Sequence, residues 1–274
     1  MTGKIIDAGS SGEWGWHAVE TALRCPQLFA YKFRLNVLQK TKSAPLLRGS
    51  LMHAALAQHY ARMQSQQEGR DPGEWALPYD AVVETAKKIG GEAYVEEIHL
   101  LYRKYAAHYA SERVEPMAIE EVFRADIAGQ PFTQRLDLVV REPNGKVYIW
   151  DHKTVGRIDA KIPLRYTLSG QFLGMQNFGA AVYGSEFGGV KLNLVSLSGE
   201  MSRQVVDPAP VARQKFTLSV AHARRVIDSL SDTDPWDWPK ALSEQTCVTA
   251  YGTCEAYEIC RWGESAVITA TVEE

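Results

Sequence analysis

Three residues could perform hydrolytic chemistry if the fold brings them together: Asp137, Asp151 and Lys153. Paired carboxylates bind a hard cation and leave coordination sites for water and phosphate oxygens. Such a cation stabilises charge on a phosphate and lowers the pKa of its bound water. An ammonium alongside can orient that water or neutralise the developing charge. Whether these side chains meet depends on the hairpin that carries them. Phe132 to Arg141 and Lys146 to Lys153 read as strands, rich in Val, Ile, Leu, Tyr and Trp, around the turn signal Pro143-Asn144-Gly145. A two-residue Asn144-Gly145 turn would set Asp151 against Leu138 and send Asp137 to the opposite face. A three-residue Pro143-Asn144-Gly145 loop sets Asp137 directly across from Asp151. The fixed φ of Pro143 suits the first position of a type I turn, and Gly145 suits the left-handed position that follows, so the three-residue loop is predicted. Lys153, two residues beyond Asp151, shares its face.

An isolated Asp-x-Lys matches by chance in many proteins and more often marks an ordinary ion pair on a surface hairpin. Its weight here comes from the elements around it. Met117 to Ile127 reads as a strand that carries Glu120 and Glu121, with Gly129-Gln130 as its turn. Leu46 to Gln64 reads as a helix in which Leu46, His53 and Tyr60 recur at seven, with Leu56 and Ala57 on the same side, so His53 faces inward. A lone histidine there is more often a satisfied core residue than a ligand. Gly49, one turn before it, is predicted to let the helix approach the sheet closely. Glu68 to Gly73 reads as a loop, and Asp80 to Ser111 as mostly helical, broken near Gly90-Gly91. Ser169 to Tyr183 is predicted helical and Val190 to Ser196 a strand. Pro210 to Ser229 is predicted to be an amphipathic helix with Arg213, Lys215, Arg224 and Arg225 on its polar positions.

The chain has 274 residues, 45% of them hydrophobic and 23% charged, which places it among globular proteins of one large or two small domains. One domain is predicted: a helical part over about 20–115, a catalytic sheet core over 116–200, and a C-terminal helix with a cysteine segment over 201–274. The sequence holds no apolar run long enough to span a bilayer, and Met1 to Asp7 lacks an apolar signal core, so a cytoplasmic protein with no membrane partner is expected. A net charge of -3 excludes a bulk polyanion binder, so any nucleic-acid contact must come from a local patch. Residues 21 to 67 lack Asp and Glu but carry Arg24, Lys32, Arg34, Lys40, Lys42 and Arg48, with Phe29, Tyr31 and Phe33 interleaved. Cations with aromatic faces suit a phosphate backbone and unstacked bases, although a solvated helix face over core aromatics has the same composition.

Four cysteines stand as one early thiol, Cys25, and three late ones, Cys247, Cys254 and Cys260. Gathered at one centre they would suit an iron–sulfur cluster or Zn²⁺, between which spacing alone does not choose. The Cys-x2–4-Cys pairs usual in zinc sites are absent. Disulfides are not expected in a cytoplasmic chain.

Taken together, the sequence resembles the PD-(D/E)xK nuclease superfamily, in its RecB-like branch of AddB, Cas4 and phage exonucleases. The matching text runs in the family's order. Gly49-x-x-x-His53 is followed by Glu120, then Gln134-Arg135-Leu136-Asp137, with Gln134 where a glycine is usual. Asp151-His152-Lys153-Thr154 comes next, and Gln171 stands where the family has Gln-x-x-x-Tyr, although residue 175 is Met. The resemblance implies an α/β fold with a mixed central sheet flanked by helices, and metal-dependent cleavage of DNA, most simply by an exonuclease. It implies that His53, Asp137, Asp151 and the backbone carbonyl of His152 ligate Mg²⁺ or Mn²⁺, that Lys153 orients water, and that Glu120 and Gln171 support the site, with Glu121 and Gln176 as competitors. It also implies a structural [4Fe–4S] cluster on Cys25, Cys247, Cys254 and Cys260, Cys25 standing in a matching Cys-Pro context, with Zn²⁺ as the alternative. Expected partners are single-stranded DNA or duplex ends, with a recombination, helicase or CRISPR-adaptation protein. Two other readings stay open: a DNA-binding module or complex subunit that uses the fold as a scaffold, and an RNA nuclease. A dead scaffold should have lost Asp137, Asp151 or Lys153, and all three are present.

Overall fold

A computed structural model of the chain describes residues 3–6, 12–38, 43–127, 129–249 and 252–266. In chain order the helices and strands are α1 (Trp16–Arg24), α2 (Pro26–Phe29), α3 (Ala44–Gln67), α4 (Pro78–Ile89), α5 (Val95–His108), β1 (Glu115–Ile127), β2 (Gln130–Arg141) and β3 (Val147–Val155). They continue with α6 (Ile162–Thr167), α7 (Gly170–Tyr183), β4 (Phe187–Ser196), β5 (Met201–Val205), α8 (Pro210–Ser229), α9 (Glu244–Cys247), β6 (Val248–Thr249), β7 (Gly252–Thr253) and α10 (Tyr257–Trp262). The chain divides into two compact units: 1–10, 42–123 and 134–214 form the first, and 11–41, 124–133 and 215–274 the second.

The sheet has the order β1-β2-β3-β4-β5. β2 and β3 are antiparallel, β3 and β4 parallel, and β4 and β5 antiparallel, so the sheet is mixed, as expected. The parallel pair needs a crossover, and α6 and α7 supply it. The β2–β3 turn has the three-residue form. Glu142 N–H donates to the Lys146 carbonyl at 2.9 Å, Gly145 N–H donates to the Glu142 carbonyl at 2.9 Å, and Gly145 takes φ 76°. The register Leu138↔Trp150, Val139↔Ile149, carried one step further, sets Asp137 across from Asp151.

In the first unit both faces of the sheet are covered. Val139, Val147, Ile149, Val190, Leu192 and Leu194 pack against Phe172 and Met175 of α7. Here the backbone approach is close: a Cβ on Gly179 would lie 2.2 Å from the Phe187 ring. On the other face Leu138, Val140 and Trp150 meet Tyr60 of α3. Farther along α3, Leu51, Met52 and Leu56 pack with Val82 of α4 and with Ile98, Leu101 and Tyr105 of α5. Burying each such side chain contributes about 1.5–3 kcal/mol. The break predicted near Gly90-Gly91 is a C-cap: Gly90 ends α4 in the left-handed region, at φ 70°.

The second unit packs Ala18, Ala22, Phe29 and Ala30 with Ile227 and Trp238. A neighbouring cluster joins Cys25, Leu28 and Tyr31 to Ala256 and Ile259. One expectation fails here. Arg224 does not lie on the polar side of α8; it is 1% exposed, with its guanidinium 4.2 Å from the centre of the Trp14 ring. The aromatic face stabilises a buried cation that periodicity assigned to solvent.

Candidate active site and cysteine centre

The candidate active site lies within the first unit. Strand alternation puts Asp151 and Lys153 on one face of β3, and the register adds Asp137 from β2. Asp151 is fully buried, and both of its oxygens are engaged. Lys153 Nζ stands 2.6 Å from Oδ2, and Gln171 Nε2 donates to Oδ1 at 3.1 Å. Gln171 sits in the first turn of α7, which is how the crossover helix delivers it. Gln176 instead donates to the Asp207 carbonyl and braces the scaffold.

From α3, His53 reaches the same place. Its Nδ1 is 3.3 Å from Glu120 Oε1 and 3.7 Å from Asp137 Oδ1, and its Nε2 is 2.9 Å from the His152 carbonyl. The His152 N–H donates to Asp137 Oδ2 at 2.9 Å. Residue 152 thus offers its backbone to the site, and its side chain points the other way. Arg135 lies 2.9 Å from Glu120 Oε2. Burial along β1 alternates at Pro116, Ala118 and Glu120, while Glu121 is exposed, so Glu120 is the residue that enters. Its φ of 49° is unusual for a non-glycine residue; such backbone costs about 1–3 kcal/mol and concentrates at functional sites.

Electrostatics follow from this crowding. Burial is the largest influence on His53 and opposes its charge, but Asp137 and Glu120 outweigh it and raise the pKa to about 9. Geometry agrees, because a carboxylate and a carbonyl can only accept, so both ring nitrogens carry protons. Burial raises the pKa of Asp151, with Lys153 opposing and Asp137 reinforcing the shift. Burial also acts against Lys153, but Asp151 and Asp137 prevail and its pKa rises.

The donor set fits a hard divalent cation. His53, Glu120 and Asp137 each offer a ligand atom, all within 4.8 Å of one another. Neighbouring ligands of an octahedral Mg²⁺ at about 2.1 Å stand about 3.0 Å apart. The 2.9 Å between His53 Nε2 and the His152 oxygen matches that spacing. Glu120, expected in a supporting part, stands in this group against His53 Nδ1, while Asp151 faces Lys153 and Gln171. A cleft of about 510 Å³ opens on these residues, lined by His53, Arg135, His152 and Lys153 with Ile5, Leu46 and Gly49. Gly49 does not serve close packing as expected, since a Cβ there would meet nothing within 4 Å. Its missing side chain leaves the cleft open instead.

Most of the cations expected to bind nucleic acid have partners within the protein. Arg48 pairs with Glu97 at 2.8 Å and lies over the Tyr94 ring. Lys32 pairs with Glu255 at 2.9 Å, Arg24 lies 3.7 Å from Cys254 Sγ, and Arg34 sits 5.2 Å from the Phe29 ring centre. Lys40 and Lys42 lie outside the described residues.

In the second unit the four cysteines are free thiols, and Cys25, Cys254 and Cys260 share one apolar cluster. The Cys254 N–H donates to the Cys247 carbonyl across the β6–β7 hairpin at 2.8 Å. Burial raises the pKa of the Cys260 thiol; Lys240 opposes, while Cys25, Cys254 and Cys247 add to the rise. Burial, Cys260 and Cys25 likewise push Tyr31 up to about 12. Among the described residues no three of these sulfurs fall within 4.8 Å of one another, since the carboxylate–imidazole group alone meets that limit. A tetrahedral Zn²⁺ with Zn–S bonds of about 2.3 Å needs sulfurs under about 4 Å apart.

No curated protein matches the chain. Among solved structures it is similar to a protein from Eubacterium rectale named "Putative exonuclease", at 14% identity and TM-score 0.47, over 80% of this chain and 82% of that one. It is also similar to SSO0001, at 13% identity and TM-score 0.31, over 64% and 74%. A family model matches residues 14–261, nearly the whole length. This chain, with its Asp137–Asp151–Lys153 hairpin, therefore belongs to the PD-(D/E)XK nuclease superfamily, whose members use divalent metals.

Proposed function

We propose that the protein is a DNA exonuclease of the RecB-like, Cas4-like branch, dependent on Mg²⁺ or Mn²⁺ and acting at single-stranded or duplex ends. The observation that carries this reading is the gathering of the buried carboxylates Glu120, Asp137 and Asp151 against His53 and Lys153, which line the cleft. When bound, the cation supplies Lewis-acid stabilisation of phosphate charge and a more acidic water. The imidazole of His53, the carboxylates of Asp137 and Asp151 and the His152 carbonyl would hold it, with Glu120 accepting from His53 Nδ1. That bond orients the ring and raises its basicity. Lys153, held by Asp151 and backed by the Tyr166 and Phe172 rings, is fixed to orient the attacking water.

The four thiols would hold a structural [4Fe–4S] cluster, a reading supported by the order of one early and three late cysteines and by the Cys25-Pro26 context, with Zn²⁺ as the alternative. Free thiols suit a reducing cytoplasm. No helix among the described residues is long and apolar enough to cross a membrane. A biological setting in recombination, repair or phage DNA processing, beside a helicase or CRISPR-adaptation protein, fits the branch.

The test uses end-labelled single-stranded DNA, duplex DNA and RNA, each with Mg²⁺, Mn²⁺ or EDTA. Release of end nucleotides from DNA, abolished by EDTA, is expected. Cleavage of RNA alone would replace DNA as substrate, and tight DNA binding without cleavage would point to a scaffold.

His53 offers a separate check. A cation at Nε2 takes the place of a proton that the ring holds up to about pH 9. Calorimetric titration with Mn²⁺ at neutral pH, in buffers of different ionisation enthalpy, should show release of about one proton and affinity that rises with pH. His53→Ala should weaken Mn²⁺ binding and remove the proton release. A variant that only melts earlier, with unchanged Mn²⁺ dependence, would make His53 a core residue.

A further inference from the structure

The middle residue of Asp151-His152-Lys153 serves the site by its backbone, and a buried network grips its side chain from behind. The imidazole is 3% exposed and stacks on Tyr60, with ring centres 6.0 Å apart and planes 12° from parallel. Its Nδ1 lies 2.9 Å from Asn193 Nδ2. Asn193, on the neighbouring strand β4, is fully buried, and its side chain has three partners. Its amide also donates to Tyr105 Oη at 3.0 Å, and its oxygen accepts from Arg203 Nε at 3.1 Å. The guanidinium of Arg203 is in turn immobilised. It pairs with Glu112, donates to Tyr60 Oη and Tyr105 Oη, and lies between the rings of Tyr109 and Trp150, 3.8 and 3.9 Å from their centres.

The donor inventory fixes the direction of this chain. A guanidinium only donates, so the oxygen of Asn193 must face Arg203. Its NH₂ therefore faces His152, whose Nδ1 must accept and whose proton sits on Nε2. The ring is held neutral, in one tautomer and one orientation. Burial, then the charges of His53 and Arg203, hold its pKa well below the ordinary value, in accord with that assignment. Neither Asn193 nor Arg203 lines the cleft.

We infer that Asn193 and Arg203 are positioning residues that act through the His152 side chain, holding the 151–153 backbone so that the His152 carbonyl faces His53 and its N–H restrains Asp137. A ligand carbonyl has no side-chain torsion of its own; only the peptide plane sets its aim. Two groups define that plane from the front, His53 and Asp137. The Asn193–His152 bond defines it from behind. Support of this kind typically changes metal affinity by about 10–100-fold when removed. The inference rests on the proposed metal-dependent reading and deepens it.

The experiment measures Mn²⁺ affinity by electron paramagnetic resonance, with no DNA present, beside the thermal melt of each protein. Asn193→Leu keeps the branched shape but removes all three bonds; it is expected to bind Mn²⁺ about 10–100-fold more weakly. Asn193→Asp is the rescue. Its carboxylate accepts from Arg203 and also from His152 if the imidazole moves its proton to Nδ1, so Mn²⁺ affinity should stay near that of the wild type. A folded Asn193→Leu protein with wild-type Mn²⁺ affinity and only a lower melt would overturn the inference. So would equal losses in the Leu and Asp variants. If Asn193→Leu does not fold, Asn193→Ser is read in the same way, since its hydroxyl is too short to span His152 and Arg203. Absence of Mn²⁺ binding by the wild type would overturn the metal reading along with it.

Discussion

Asp151→Asn is expected to lower cleavage by at least about 10²–10³-fold, the usual cost of removing one electrostatic anchor from a transition state, while the protein stays folded. Two bonds converge on this carboxylate. Lys153 would lose its counter-charge at 2.6 Å, and the amide would present a donor where the ammonium needs an acceptor. Lys153 is about a quarter exposed, so it can swing away to water and forfeit its place beside the reacting groups. The stability sign runs the other way. Burial raises the pKa of Asp151 against the pull of Lys153, so its ionised form is disfavoured in the folded state. An acid with a raised folded-state pKa contributes stability at low pH that is lost as pH rises through that pKa. The amide relieves that cost but also removes the counter-charge that raises the pKa of Lys153, so at neutral pH the melt should stay near the wild-type temperature. End-labelled DNA cleavage beside a thermal melt checks both halves. A variant that cleaves at the wild-type rate would remove Asp151 from the chemistry, and one that unfolds would make it a structural acid.

Cys25→Ala should fail differently. Purified without oxygen, the wild type is expected to be brown and to contain iron; the variant should lose the colour of a thiolate-ligated cluster. Cys25 lies more than two hundred residues from Cys247, yet packs in one apolar cluster with Tyr31, Ala256 and Ile259, beside Cys254 and Cys260. A shared metal centre would close that long loop, and losing one thiolate would reopen it. Proteolysis should then begin near residue 25 and in 247–260, where limited digestion with mass spectrometry would locate the cuts. The two variants cross-check each other, since Asp151→Asn should keep the colour. A colourless wild-type protein that holds one zinc when iron was supplied would falsify the cluster. A brown and folded Cys25→Ala protein would reduce Cys25 to a buried bystander.

Most of the candidate site's geometry is local, and local physics is enough to read it. Pro143 and Gly145 dictate a three-residue loop, the loop dictates the register, and a period of two puts Asp137, Asp151 and Lys153 on one face. The inward turn of His53 follows from helical period in the same way, whereas Gln171 is marked in the sequence only by its match to the family's motif. Other features had no such signal. Period alone could not choose between Glu120 and Glu121; a left-handed backbone at Glu120 and the burial of β1 decided it. The cations Arg24, Lys32 and Arg48 look alike in sequence, and only the fold shows that each has a partner far along the chain. Arg224 read as polar surface because periodicity sees charge but cannot see the Trp14 ring that receives it. Gly49 matched a motif, but its use, an open cleft instead of a close contact, depends on what stands opposite. The Asn193–Arg203 brace joins residues from strands β3, β4 and β5 and from helices α3 and α5, and no spacing rule links them. Sequence by itself determined the acids, the lysine and their register, because neighbours along the chain impose those. Tertiary structure alone decided which buried polar groups satisfy one another, because a hydrogen bond in the core is set by distance in space and carries no mark of separation in sequence.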